Sequence, residues 1–263
     1  MTGAAMAAWL LAGAASGIGG GQTSSPVHAL VALEEVAGGG GQGALRCTAD
    51  RSRCARLRGG AGPGAWRLEL TVAGAPTAAV AVPVLDDENA GYSVWPHLIV
   101  EAGGALLVGV QQSRAMSFSG GGSSATRLLL YRVEPGGGAA LVLDVPVGGR
   151  GLYRACWREN DERRLGGACR EEFEFDGELG LDPAPGGDRA RLILTTRART
   201  WPGPQRLGDD GGESAGAGEP GPPEQVWAPD AACSYRRVFA FSEAEGRYLP
   251  DQPLPTCEDY FNV

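Results

Sequence analysis

The sequence predicts an all-β fold: an antiparallel meander of hairpins, arranged either as an irregular propeller-like array or as a β-sandwich, with disulfide-stapled loops. Two patterns carry this expectation. Across residues 84–147, apolar runs of five to eight residues alternate with glycine turns, which is how strands separated by tight turns read. Across residues 171–200, apolar and charged side chains alternate with a period of two, the signature of a half-buried strand. Six cysteines, an even number, add the expectation of disulfides at the loops.

Residues 1–22 read as a signal peptide. The apolar run 4–18 has the length of a hydrophobic export segment and is too short to span a bilayer. Ala12-Gly13-Ala14 fits the small-residue cleavage rule, although no Arg or Lys precedes the run. Residues 23–201 form the expected main β domain. Its first strand is 28–36, ending in a glycine run. Gly38, Gly40 and Gly43 match G-x-G-x-x-G, but that fingerprint needs a helix after it. An arginine-rich stretch follows instead, so the match reflects glycine abundance.

Residues 46–58 hold five arginines: Arg46, Arg51, Arg53, Arg56 and Arg58. They read as a cysteine-closed loop, either binding an anion or solvated and paired with acids elsewhere. Residues 66–72 and 78–85 form a hairpin. The central meander then has strands at 98–100, 105–112, 127–133 and 140–147, with a polar loop expected at 113–124. Arg67-Leu68-Glu69-Leu70, Arg127-Leu128-Leu129-Leu130 and Arg191-Leu192-Ile193-Leu194 make a faint repeat, starting 60 and 64 residues apart. Regular repetition of β units is what suggests a propeller.

The cysteines allow 15 pairings, and the sequential one is expected: Cys47–Cys54, Cys156–Cys169 and Cys233–Cys257. Each pair brackets a local segment, and loop-closure entropy makes the three worth about 2.5, 3 and 3.5 kcal/mol. In the hairpin 171–200, the expected register sets Glu178 opposite Arg191, Glu172 opposite Arg197 and Phe175 opposite Leu194. One face is then apolar and the other a ladder of opposite charges. Residues 202–229 have the composition of a disordered Gly/Pro/acidic loop. Residues 230–263 form a C-terminal hairpin, with Tyr260 and Phe261 docking on the main domain.

Composition narrows the chemistry. The chain has no lysine; its 23 basic residues are all arginine. This excludes Schiff-base and pyridoxal-phosphate chemistry, a Walker-type lysine and a Ser-x-x-Lys nucleophile. Net charge is −8, which argues against general nucleic-acid binding. No segment after the leader is long enough to cross a membrane as a helix. Only His28 and His97 are present, so a histidine triad or multi-histidine metal site is not expected, and neither is a cofactor.

Two clusters stand out. Asp86, Asp87 and Glu88, followed by Tyr92, Trp95 and His97, combine carboxylates with aromatics as glycoside hydrolysis requires; the ordinary alternative is a capped turn at a strand start. The expected loop carrying Arg114, Met116 and Phe118 has a composition suited to gripping a partner. The leading expectation is a periplasmic or secreted, disulfide-stabilised binding protein of a bacterial-type envelope. Its partner is an envelope or extracellular protein or a glycan. The alternative is a secreted, glycosidase-like hydrolase using Asp86, Asp87 or Glu88 with His97.

Overall fold

Strands β1 (Ala29–Ala32) and β2 (Glu34–Glu35) follow each other directly, yet they belong to different sheets. The expected single first strand is therefore split at Leu33, which is buried and donates its N–H to the Pro96 carbonyl at 2.8 Å. This arrangement comes from a computed structural model that describes residues 28–36, 44–59, 65–85, 90–154, 156, 169–184, 187–203 and 225–261. The leader, the glycine match at 38–43, the acidic cluster Asp86-Asp87-Glu88 and most of 202–229 lie outside the described residues.

The smaller, five-stranded sheet runs β2, β3 (Leu45–Cys47), β4 (Arg53–Gly59), β5 (Trp66–Val72) and β6 (Ala75–Val82). The arginine-rich stretch is thus a hairpin rather than a loop. Asp50 closes its turn by accepting from Thr48 Oγ1 at 2.5 Å and Ser52 N at 3.0 Å. Those bonds favour the carboxylate and lower the Asp50 pKa to about 2. Cys47 and Cys54 are direct cross-strand partners and form the first disulfide. At the β5–β6 turn, Ala73 and Gly74 both take positive φ, 50° and 78°, as the favoured two-residue hairpin turn requires.

The larger sheet begins with β1 against β7 (Gly91–Val100). It continues in chain order through β8 (Leu106–Phe118), β9 (Gly121–Val133), β10 (Ala139–Arg154), β11 (Arg170–Leu181) and β12 (Leu192–Trp201). Beyond these, β14 (Arg236–Ser242) pairs with β12 and β15 (Arg247–Pro250) with β14, while the short β13 (Ala228–Pro229) also pairs with β12. Among the described residues every pairing is antiparallel, and no barrel closes. Cys156–Cys169 and Cys233–Cys257 complete the expected connectivity.

The core explains the long apolar runs. Leu98, Val108, Val110, Leu129 and Tyr131 face Leu57, Leu68 and Leu70 of the small sheet. Their neighbours Ile99, Leu107, Leu128 and Leu130 join Leu192, Leu194, Phe239 and Tyr248 in a second core. Strands β7 to β9 are therefore covered on both faces, and a strand buried on both faces reads as continuously apolar. Trp95 fits only because β8 has a glycine beside it: a Cβ on Gly109 would lie 2.8 Å from the Trp95 Cβ.

Two sequence expectations are corrected in this sheet. Residues 113–124 are not a loop: β8 and β9 stay paired from Ser113↔Thr126 to Phe118↔Gly121, leaving a turn of Ser119 and Gly120. Serine and glycine give no alternation to read, but β10 extends alongside and supplies the ladder. In the hairpin of β11 and β12, Glu174 faces Arg199, Phe175 faces Ala198 and Leu179 faces Leu194. The expected register put the turn too early. Asp182 holds a wider one, donating N–H to Arg191 O at 2.9 Å and pairing with the Arg191 guanidinium at 3.1 Å. The four-residue change is even, so the apolar and charged faces are those expected.

Candidate functional site

The far ends of β8 to β11 build a concavity. Cross-strand rows run Ala115–Ser124–Arg150–Glu174 and Ser117–Gly122–Leu152–Glu172. Partners in a row project to the same face, and neighbours along each strand to the other. The result is a shallow groove of about 380 Å³ lined by Ala115, Ser117, Ser124, Arg150, Leu152, Glu172 and Glu174. Small residues on β8 and β9 make its floor. Gly121 is essential to this geometry: it has φ 151°, and a Cβ there would stand 1.7 Å from the Leu152 carbonyl oxygen.

The opposite face is aromatic. Phe118 stacks on Tyr153 at 5.8 Å, Tyr153 meets Phe173 edge-on at 5.8 Å, and Phe173 meets Tyr260 at 5.9 Å. Phe261 packs against Phe175 at 4.9 Å. Tyr260 and Phe261 therefore contact the sheet, close to Cys233–Cys257 in the same apolar cluster. This packing backs the groove and holds its strands. Met116 and Phe118 stay 45% and 40% exposed at the hairpin end, and Leu152 is 43% exposed, so large apolar side chains face solvent on both sides of it.

Charge in the groove is largely committed. Glu172 pairs with Arg170 at 2.8 Å, and Arg170 lies over Trp201 at 4.9 Å. Glu174 pairs with Arg199, whose Nε is 2.7 Å away, and Arg199 lies over Trp227 at 4.5 Å. Arg150 is exposed and makes no ion pair among the described residues. The groove therefore offers a cation, serine hydroxyls and an apolar side chain, beside two carboxylates already neutralised.

The sequence-derived candidates are distributed differently. Arg114, Met116 and Phe118 lie on β8, with their side chains on the aromatic face by alternation, so only Met116 borders the groove. Tyr92, Trp95 and His97 lie on β7, outside it. The Tyr92 hydroxyl accepts the Leu85 N–H at 2.8 Å, and its ring stacks on Trp66 at 5.3 Å. Trp95 is buried, with His97 against it at 5.1 Å. These three pack the fold. Among the described residues no group of His, Cys, Asp and Glu could hold a metal ion, and no helix is long and apolar enough to cross a membrane.

Sequence reasoning passed over Arg150 and Leu152, and read Glu172 and Glu174 only as rungs of a charge ladder. The available signal was Gly148-Gly149-Arg150-Gly151, because glycines inside a strand mark close backbone approach. It also passed over Glu101, the most buried carboxylate. Glu101 accepts from Arg132 Nε at 2.7 Å, Ala190 N at 2.9 Å and the Tyr248 hydroxyl at 3.3 Å. Burial, together with the nearby Glu101 charge, pushes the Tyr248 pKa up. Every oxygen of that carboxylate is occupied, so the cluster joins strands rather than receiving a ligand. Comparison with protein families, curated proteins and solved structures finds no match to this chain.

Proposed function

We propose that the protein is an exported, disulfide-stabilised binding protein of a bacterial-type envelope, and that the β8–β11 end is its recognition surface. One observation carries the reading. Exposed Met116 and Leu152 line a groove whose carboxylates are already paired and whose Arg150 makes no ion pair among the described residues, and exposed Phe118 stands on the other face of the same hairpin end. Large apolar side chains grouped at a surface mark interaction sites, and an arginine beside them supplies direction to the contact. Three disulfides within a β-rich fold fit an oxidising compartment. General acid–base chemistry needs a titrating group within reach of substrate; the groove's two carboxylates are held by arginines instead.

The test is site-specific photo-crosslinking in an envelope extract. A crosslinker at Leu152 or Met116 is expected to capture one discrete partner, while one at the exposed Leu249 does not. Arg150→Ala should weaken that capture. Equal capture from all three positions, or none from Leu152 and Met116, would sink the proposal. Turnover of glycosides or esters by the purified protein would favour the hydrolase instead.

A further inference from the structure

A second surface lies on the five-stranded sheet, away from the groove. Its inner face carries Ala55, Leu57, Leu68, Leu70 and Val82 into the core. By alternation its outer face carries Arg56 and Arg58 from β4, Arg67 and Glu69 from β5, and Ala79 and Ala81 from β6. Glu34 lies on the same face beyond the Cys47–Cys54 pair. One oxygen of Glu69 receives both Arg56, at 3.2 Å, and Arg58, at 2.9 Å. Arg67 is exposed and makes no ion pair among the described residues.

The register makes this arrangement costly. Arg58 and Arg67 are direct cross-strand partners, and like charges placed opposite each other destabilise a sheet. A single carboxylate offsets three guanidiniums within the patch, in a chain whose net charge is −8. An approaching anion meets a local excess of cations at this face.

From this juxtaposition we propose that the outer face of β4 and β5, through Arg56, Arg58 and Arg67, binds a linear anionic polysaccharide. Arg58 and Arg67 are exposed, and Arg56 is partly so. These cations repeat at strand spacing, about 4.8 Å across and about 7 Å along, which suits a polymer with a charge on each repeat rather than one enclosed ion. No aromatic side chain stands among Arg56, Arg58, Arg67, Glu69, Ala79 and Ala81, so these residues provide none of the stacking platforms of a single-stranded nucleic-acid site. Guanidinium forks recognise sulfate and carboxylate groups by paired hydrogen bonds.

The experiment uses the oxidised full chain and labelled dextran sulfate, with neutral dextran and polyglutamate as competing probes. Dextran sulfate is expected to bind at low salt and to weaken as salt rises. Arg58→Gln and Arg67→Gln should each lower its affinity about tenfold without lowering the thermal unfolding temperature, since each also removes a like-charge contact. Arg247→Gln, on the distant β15, should leave affinity unchanged. Glu69→Gln frees both its guanidiniums and should strengthen binding, a gain that misfolding cannot imitate. Three outcomes overturn the proposal: no binding at low salt, equal loss in the Arg247 variant, or polyglutamate binding as tightly as dextran sulfate.

Discussion

Tyr131 shows what a single side chain contributes to the core. It is 1% exposed, and its hydroxyl is buried without a hydrogen-bond partner among the described residues. Burial, with the charge of Asp144 nearby, pushes its pKa up to about 12. The unfolded phenol ionises near 10, so the folded chain keeps a proton that the unfolded chain loses. This contribution to stability is therefore complete below about pH 10 and disappears as pH rises to about 12. Tyr131→Phe should be neutral or stabilising at pH 7, since it removes an unpaired buried hydroxyl. It should also reduce the alkaline loss by about 2–3 kcal/mol. Urea unfolding at pH 8 and at pH 11.5 measures both effects; a Phe variant with the wild-type alkaline slope would contradict this account. Tyr248 is shifted in the same direction, so some alkaline loss remains in either protein.

At the scale of elements, the β8–β9 hairpin depends on Gly121. Gly121→Ala would drive a methyl into the Leu152 carbonyl, 1.7 Å from the ideal Cβ, and backbone cannot yield as a side-chain tip can. The expected result is separation of the hairpin end from β10. Amide exchange should speed up across 115–122 and 150–154, with the apolar core strands unaffected. Exchange unchanged at those amides would show that the contact is relieved cheaply. This element also marks where the sequence stopped being legible. Strands β7 to β9 were readable through their apolar centres, but the serine- and glycine-rich extensions that form the groove carry no periodic signal. The charged face of β11 and β12 was legible from alternation, because a half-buried strand must alternate. Its register was not, since an even slip changes partners without changing faces. The three disulfides were readable because each closes a short loop. The groove joins residues from four strands, and nothing along the chain shows that Ala115 and Glu174 share a row.

Across the whole molecule, Glu101 does what no local element can. It ties the end of β7 to Arg132 of β9, to the segment before β12 through Ala190, and to Tyr248 of β15. Glu101→Gln would leave Arg132 buried without its full countercharge, and breaking a buried pair costs about 3–5 kcal/mol. The melting temperature should fall, with urea unfolding losing that amount; a loss under 1 kcal/mol would mean that Glu134, which also contacts Arg132, suffices as its countercharge. A second whole-molecule tie lies at Leu33, where the chain leaves the large sheet after Ala32 and enters the small one at Glu34. It gives the fold a mechanical property. Tension along the chain at residue 28 runs parallel to β1, whose ladder to β7 spans Ala29↔Val100 to Ala32↔His97. Antiparallel hydrogen bonds lie across the strand axis, so that ladder is loaded in shear, all its bonds at once. The small sheet feels the pull only after β1 yields, so the upstream chain can be tugged without straining the arginine face.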